Sequence, residues 1–281
     1  MEEKVLQIDL NEVLRSRAPN LHRFMPRFVV SWLEKLIRQK EMNSLLMANR
    51  DLQGSKFCHG VLDYLNIKLE IDGLENLPDD VDIDSWRVIF CSNHPLGGLD
   101  GMALIDFLCS RSPSGELRFI VNDLLMNIPP LRGVFLPVNT IKKVQSKETA
   151  RKLDEVFEGD LPVAIFPAGL CSRLIKGKIQ DLKWNKMFVN KAISYKRDII
   201  PVHFSGRNSR FFYNFAKIRK ALHVPFNLEM VLLPGEIFKN RNSVFRITIG
   251  KRISYKELEG GKNAESTGAK LREYVYRLKN D

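Results

Sequence analysis

The sequence predicts an α/β fold: a single mixed, largely parallel β-sheet flanked by helices, with a helical segment at its N-terminus. Three observations carry that prediction. From Trp86 onward, short apolar runs alternate with longer stretches of helical periodicity, the pattern of a sheet whose crossovers cover its faces. Before Trp86, helical spacing dominates. Apolar residues make up 44% and charged residues 27% of 281 positions, an ordinary balance for a chain that buries a substantial core.

Residues 1–75 read as the helical segment, packed on or docked against the core, and residues 76–281 as the α/β domain. In "PRFVVSWLEKLIRQ", Val29, Trp32, Leu33, Leu36 and Ile37 recur at helical spacing, so this stripe is expected to face the core. "GLENLPDDVDID" is a polar loop. Strands are predicted at "RVIFCS", "LRFIVN", "GVFLPV", "PVAIFP", "IIPVHF", "LEMVLL" and "FRITIG". Helices are predicted at "GMALIDFLCS", "SKETARKLDEVFEGD", "WNKMFVNKAISYKR" and the terminal "NAESTGAKLREYVYRLKN". Ser146 suits the cap of the second of these, and Gly159 its C-terminal glycine.

The net charge of +11 is unevenly placed. Between Arg173 and Lys220 lie 13 Lys/Arg against Asp181 and Asp198, whereas the rest of the chain balances. That surplus argues for a polyanionic partner: nucleic acid, an anionic membrane surface or a phosphorylated small molecule. "RNSRFFYNFAKIRK" interleaves cations with Phe211, Phe212, Tyr213 and Phe215, which suits a headgroup region or, with the rings turned inward, a core. No run reaches the length of a membrane span, and the acidic N-terminus lacks the apolar core of a signal peptide. Four scattered cysteines form neither a zinc pattern nor a disulfide framework. A cytoplasmic protein, peripheral at the inner face of the cell membrane, is expected.

The stretch "CSNHPLGGLDG" is the least like ordinary packing. Pro95 biases His94 to extended backbone, continuing a strand, and Gly97 and Gly98 permit a tight turn. Asp100 stands at the N-cap position expected for the next helix. Two readings are open on this chemistry alone: a helix cap beside a turn, or a carboxylate that orients an imidazole as general base. Cys91 and Ser92 lie close enough to be nucleophiles, but no G-x-S-x-G elbow surrounds them. His203, inside an apolar run, reads as a core residue.

Four segments together resemble the glycerolipid acyltransferases, the glycerol-3-phosphate and lysophosphatidic acid acyltransferases. "NHPLGGLDG" is similar to the first family block, "RGVFLPVNT" to the second, "FPAGLCSR" to the third and "IIPVHF" to the fourth, in order and at similar spacing. The resemblance implies His94 as general base, Asp100 as its orienting partner, and acyl transfer from a thioester of acyl-carrier protein or coenzyme A to a lyso-lipid hydroxyl. It implies no metal and no bound cofactor. It also implies a substrate site drawn from Asn93, Gly97, Gly98, Asn139, Phe166, Pro167, Gly169 and Arg173, with Lys176, Lys178 and Arg207 as further cations.

The departures bear on the acceptor. Five residues separate His94 from Asp100 where the family has four, Ala168 stands for a usual Glu, and Asn139 for a usual Arg. The acceptor is therefore either lysophosphatidic acid or an acylated amino acid of the ornithine- or glycine-lipid type. The rival class is a basic membrane- or nucleic-acid-binding module without catalysis. The absence of a nucleic-acid motif favours the enzyme.

Overall fold

The apolar runs assemble as a sheet in the computed structural model, which describes residues 7–17, 23–79, 81–122, 125–126, 128–138, 147–223 and 228–280. The strands are β1 (Lys68–Asp72), β2 (Ile89–Ser92), β3 (Arg118–Asn122), β4 (Phe135–Val138), β5 (Val163–Ile165), β6 (Arg173–Ile175), β7 (Lys178–Gln180), β8 (Ile199–Phe204) and β9 (Val244–Ile249). Seven of them order as β1-β9-β8-β2-β5-β3-β4, while β6 and β7 form a separate antiparallel hairpin. All neighbours in the large sheet are parallel except β8 and β9. The sheet is thus the mixed, largely parallel one expected.

The central strands β2, β5 and β8 are buried at every position, because helices cover both faces. Side chains alternate between two cores. Phe90 joins Phe57 of α4 (Gly54–Tyr64) and Leu104 of α5 (Leu99–Arg111) on one face. Ile89 and Cys91 join Phe157 of α6 (Lys147–Glu158), Phe188 of α7 (Met187–Ser194) and Val275 of the terminal helix Ala264–Arg277 on the other. Earlier in the chain lie α1 (Leu10–Arg17), α2 (Arg27–Leu36) and α3 (Gln39–Ala48). Two more helices, α8 (Arg210–Ala221) and α9 (Leu233–Lys239), precede β9, and the terminal helix is α10. No helix among the described residues is long and apolar enough to cross a membrane.

Three expectations change. "LEMVLL" is not a strand: Leu228–Leu232 is a 3-10 turn leading into α9, where Pro234 sits in the first turn. Its Glu229 is wholly buried, and a carboxylate there requires cationic neighbours that a strand interior would not supply. β1 was hidden in a segment read as helical, although Lys68, Glu70 and Asp72 alternate with Leu69 and Ile71; it pairs along its whole length with β9. The stripe splits: Ile37 is buried and Val29, Leu33 and Leu36 are half-buried, whereas Trp32 is 54% exposed, with Phe28 beside it 75% exposed. Ser146 lies outside the described residues.

The basic surplus is also not all surface. Arg197 is fully buried, donating to the carbonyls of Phe157, Leu161 and Gly159 at the end of α6. It satisfies orphan helix-end acceptors. Burial, and secondarily the charge of Arg87, push its guanidinium down to about 10.

Candidate active site

At the carboxyl end of β2 the chain must leave the sheet between two neighbours, and Asn93 makes the exit rigid. Its side-chain amide donates to the Phe204 carbonyl at 2.9 Å and accepts from the Phe204 N–H at 2.7 Å, imitating one more ladder rung. Asn93 was expected at substrate; its side-chain amide pairs with β8 and the residue is 2% exposed. Replacing Asn93 by Ala leaves both Phe204 groups unpaired, and the expected loss is about 1–3 kcal/mol in a denaturant melt.

The next residues turn sharply. Gly97 has φ of 81°, and a Cβ there would meet Leu233 Cδ1 at 2.8 Å and Cys171 Cβ at 3.1 Å. The position needs glycine on both counts. α5 begins at Leu99, so Asp100 lies inside the first turn instead of at the N-cap. From there its carboxylate turns back on the loop. Oδ2 accepts from Leu96 N–H at 2.8 Å, and Oδ1 from Gly98 and Gly101 N–H at 3.0 Å each. His94 Nδ1 stands 3.0 Å from the same Oδ2. The extra residue of the bend is taken up here without separating the pair.

Asp100 is fully buried. Burial alone would raise its carboxyl, but the adjacent imidazole and the backbone N–H donors outweigh that and hold it below the ordinary carboxylate range. An ionised carboxylate only accepts, so Nδ1 carries a proton, and Nε2 is the ring nitrogen left without a partner among the described residues. The His94 side chain is 14% exposed, enough to present one edge. Its face stacks on Phe166, with centroids 3.9 Å apart and planes at 18°. Phe166, expected to touch substrate, therefore holds the ring plane.

A second buried carboxylate, which no local motif announced, fixes the main chain of His94. Asp181 Oδ1 accepts from His94 N–H at 3.2 Å and from the Ser172 hydroxyl at 2.6 Å, and Oδ2 accepts from Trp184 Nε1 at 2.8 Å. Ser172 N–H returns to the His94 carbonyl at 2.7 Å. The "FPAGLCSR" turn is thereby tied alongside the first block.

The remaining site expectations divide. Gly169, at φ of 67°, gives its own N–H to the Phe166 carbonyl, which spends the donor that was expected to face an anion. The carbonyl of the buried Pro167 accepts from Asn185 N–H. Arg173 is paired with the buried Glu229 at 2.9 Å, and Arg219 binds the same carboxylate at 2.7 Å. The guanidinium expected at a head group is thus committed inside the fold. Lys176 and Lys178 are exposed on the β6–β7 hairpin, and Arg207 is exposed after β8. Nothing lies within 4 Å of a Cβ built on Gly98, so that side of the turn is open. Asn139 lies outside the described residues. Cys91 is fully buried and its thiol is pushed up by that burial, while the Ser92 hydroxyl donates to the Asn93 carbonyl, so neither is placed as a nucleophile.

A cleft of about 1340 Å³ is lined in part by the β6–β7 hairpin. Asn93, Pro95 and Ser172 form its inner wall and Lys178, Arg207 and Lys279 stand among its cations, whereas His94 itself is outside this wall. His203 lies at its base, edge-on to Tyr276. Burial, then the charge of Lys279, lower its imidazole to about 4, so it is neutral near pH 7.

The family model described as "Acyltransferase" matches residues 12–281. The lyso-glycine lipid O-acyltransferase of Bacteroides thetaiotaomicron is 40% identical over 277 residues, covering 99% of both chains. The protein of that name from Phocaeicola vulgatus is 39% identical over 277 residues, covering 99% of this chain and 97% of its own. The crystal structure of the 1-acyl-sn-glycerophosphate acyltransferase from Thermotoga maritima aligns with a TM-score of 0.49 at 16% identity, over 96% of this chain and 97% of its own. A family match over nearly the whole length, joined by end-to-end relatives near 40% identity, establishes that this chain belongs to the acyltransferase family.

Proposed function

We propose that this acyltransferase moves a fatty acyl group from a thioester to the hydroxyl of a lyso-glycine lipid, with His94 as general base and Asp100 as its orienting partner. The observation that carries the reading is the 3.0 Å approach of Nδ1 to a buried, ionised carboxylate held by backbone N–H groups, which leaves Nε2 as the ring nitrogen to take a proton. Nε2 takes the hydroxyl proton as the oxygen attacks the thioester carbonyl. Collapse of the tetrahedral intermediate expels the thiolate, which receives that proton from the imidazolium. One C–O bond forms, one C–S bond breaks, and a free thiol leaves.

Two features support the acceptor. The relatives near 40% identity bear lyso-glycine lipid names, and the Arg173 guanidinium is held by Glu229 inside the fold instead of standing free for a phosphate. Glycine has no hydroxyl of its own, so the accepting oxygen belongs to the fatty chain already attached to it. The test offers purified protein a labelled acyl thioester with either lyso-glycine lipid or lysophosphatidic acid. Label in the glycine lipid is expected; label only in phosphatidic acid would overturn the acceptor, and none in either the reaction.

The same reading places the protein on the inner face of the cell membrane. Phe24, Phe28 and Trp32, four residues apart, are exposed beside Arg23, Arg27 and Lys35; on α8, Phe211, Ile218 and Leu222 are exposed beside Lys217 and Lys220. Phe212 and Tyr213 of α8 turn inward, so the aromatic segment divides between core and surface. Each cation near an anionic surface contributes about 1 kcal/mol. Co-sedimentation with anionic vesicles is expected to fall as salt rises, and to weaken roughly tenfold in Phe28→Ser. Salt-independent binding, or an unchanged variant, would contradict this placement.

A further inference from the structure

The terminal helix α10 does more than close the second core. Leu271 and Val275 are buried in that core, whereas Arg272 and Tyr276, one turn apart, leave the helix together on an adjoining flank. That flank reaches Asp181, the residue after β7. The Asp181 N–H donates to the Tyr276 hydroxyl at 2.7 Å, and the Asp181 carbonyl accepts from an Arg272 terminal nitrogen at 2.6 Å. The same nitrogen donates to Gln180 Oε1 at 3.0 Å, and the guanidinium lies 5.2 Å from the centre of the Tyr276 ring. Both peptide groups that flank the Asp181 Cα are thereby tied to residues 91 and 95 positions further along the chain.

Peptide groups are planar, so holding the two beside one Cα sets φ and ψ there and the direction in which the side chain leaves. At Asp181 that direction is toward the loop that carries the base. Oδ1 accepts from the His94 N–H at 3.2 Å and from the Ser172 hydroxyl at 2.6 Å. Oδ2 accepts from Trp184 Nε1 at 2.8 Å, which keeps the carboxylate from swinging away. The same grip then repeats at His94, whose N–H is held by Asp181 and whose carbonyl is held by the Ser172 N–H at 2.7 Å. The backbone angles of residue 94 are thus set from outside its own loop. Only the side-chain torsions remain, and Asp100 and Phe166 settle those.

We propose that Tyr276, Arg272 and Asp181 are positioning residues for acyl transfer: α10 holds Asp181, and Asp181 holds the backbone from which His94 reaches the acceptor hydroxyl. The proposal rests on His94 as general base and adds what aims it. A base acts only within hydrogen-bond reach of the proton it removes, and a misplacement of about 1 Å can cost about 10²-fold. Loss of one anchor in this chain shifts the ring by less than that, so roughly tenfold is expected.

Tyr276→Phe tests this by removing a single oxygen while keeping the ring beside His203 and Arg272. Its kcat is expected to fall roughly tenfold, with KM for thioester and for lyso-lipid each within about twofold of wild type. Tyr274→Phe is the matched control, because that hydroxyl, on the same helix, accepts from Lys251 N–H instead of Asp181; its kcat should equal wild type. The second readout is spectroscopic. The chain has five histidines, so ¹⁵N-histidine labelling gives one backbone amide signal for each, and His94→Ala identifies the relevant one by removing it. An amide that donates to a carboxylate resonates downfield. The His94 signal should move upfield in Tyr276→Phe and further in Asp181→Asn, whose NH2 must face either Trp184 or the His94 and Ser172 donors.

A lowered kcat with steady KM values and a shifted His94 amide supports the proposal, and Tyr276→Phe decides it even if Asp181→Asn does not fold. Wild-type kcat in Tyr276→Phe, an unmoved amide, or an equal loss in Tyr274→Phe overturns it. A fully active His94→Ala would remove the base itself. An inactive His94→Ala beside a fully active Tyr276→Phe would remove only the positioning, so the two readings fail separately.

Discussion

Replacing His94 by Ala is expected to lower kcat for acyl transfer by about 10²–10⁴-fold, the usual contribution of a positioned general base. The acceptor hydroxyl would still bind, but nothing would remove its proton as the C–O bond forms, so KM should move far less than kcat. The fold should survive. The ring packs on Phe166 and Asp100 at the edge of the core, and the hydrogen bonds that place residue 94 run through its backbone to Asp181 and Ser172. A near-native melting curve with no turnover would locate the loss in the chemistry. A variant that retained wild-type kcat would remove His94 from the reaction.

Asp100→Asn should approach the same loss of about 10²–10⁴-fold by a different route. Both carboxylate oxygens face N–H donors: His94, Leu96 and Gly97 on Oδ2, Gly98 and Gly101 on Oδ1. An Asn must turn its NH2 toward one of these sets, so it either breaks the loop or forces His94 into the other tautomer, with Nε2 protonated and useless as a base. Stability should follow in a defined pH window. The folded Asp100 carboxyl lies below its ordinary value of 3.8, so its contribution is complete above that value and is lost as pH falls through the lower folded value. The stability gap between wild type and Asp100→Asn, measured by denaturant melts, should therefore be constant near neutrality and narrow below pH 3.8. A gap that widened in acid would contradict the ionised state assigned to the carboxylate.

Much of this architecture was readable from periodicity. The continuous apolar runs of β2, β5 and β8 signal strands buried on both faces, and "NHPLGGLDG" at the end of the first of them marks the dyad without any tertiary information. What escaped was what depends on distant partners. Nothing near Asp181 tells that its carboxylate receives the His94 backbone 87 residues away. Nothing near Arg173 tells that Glu229 pairs with it, and "LEMVLL" reads as a strand because the burial of its Glu is set by tertiary pairs with Arg173 and Arg219. Asn93 and Phe166, expected at substrate, also have structural partners that the sequence does not show. Their types suit substrate contact, and only the register of β2 against β8 and the stacking on His94 show them holding other parts of the protein.

Every hydrogen bond that Asp100 accepts comes from residues 94 to 101. The carboxylate is thus wired by its own short stretch of main chain, whereas the imidazole beside it is also braced from afar, by Phe166 on its face and by Asp181 on its backbone. Damage to a distant contact should therefore tilt or loosen the ring while leaving the ionised carboxylate intact, so orientation and charge are separable properties of one pair.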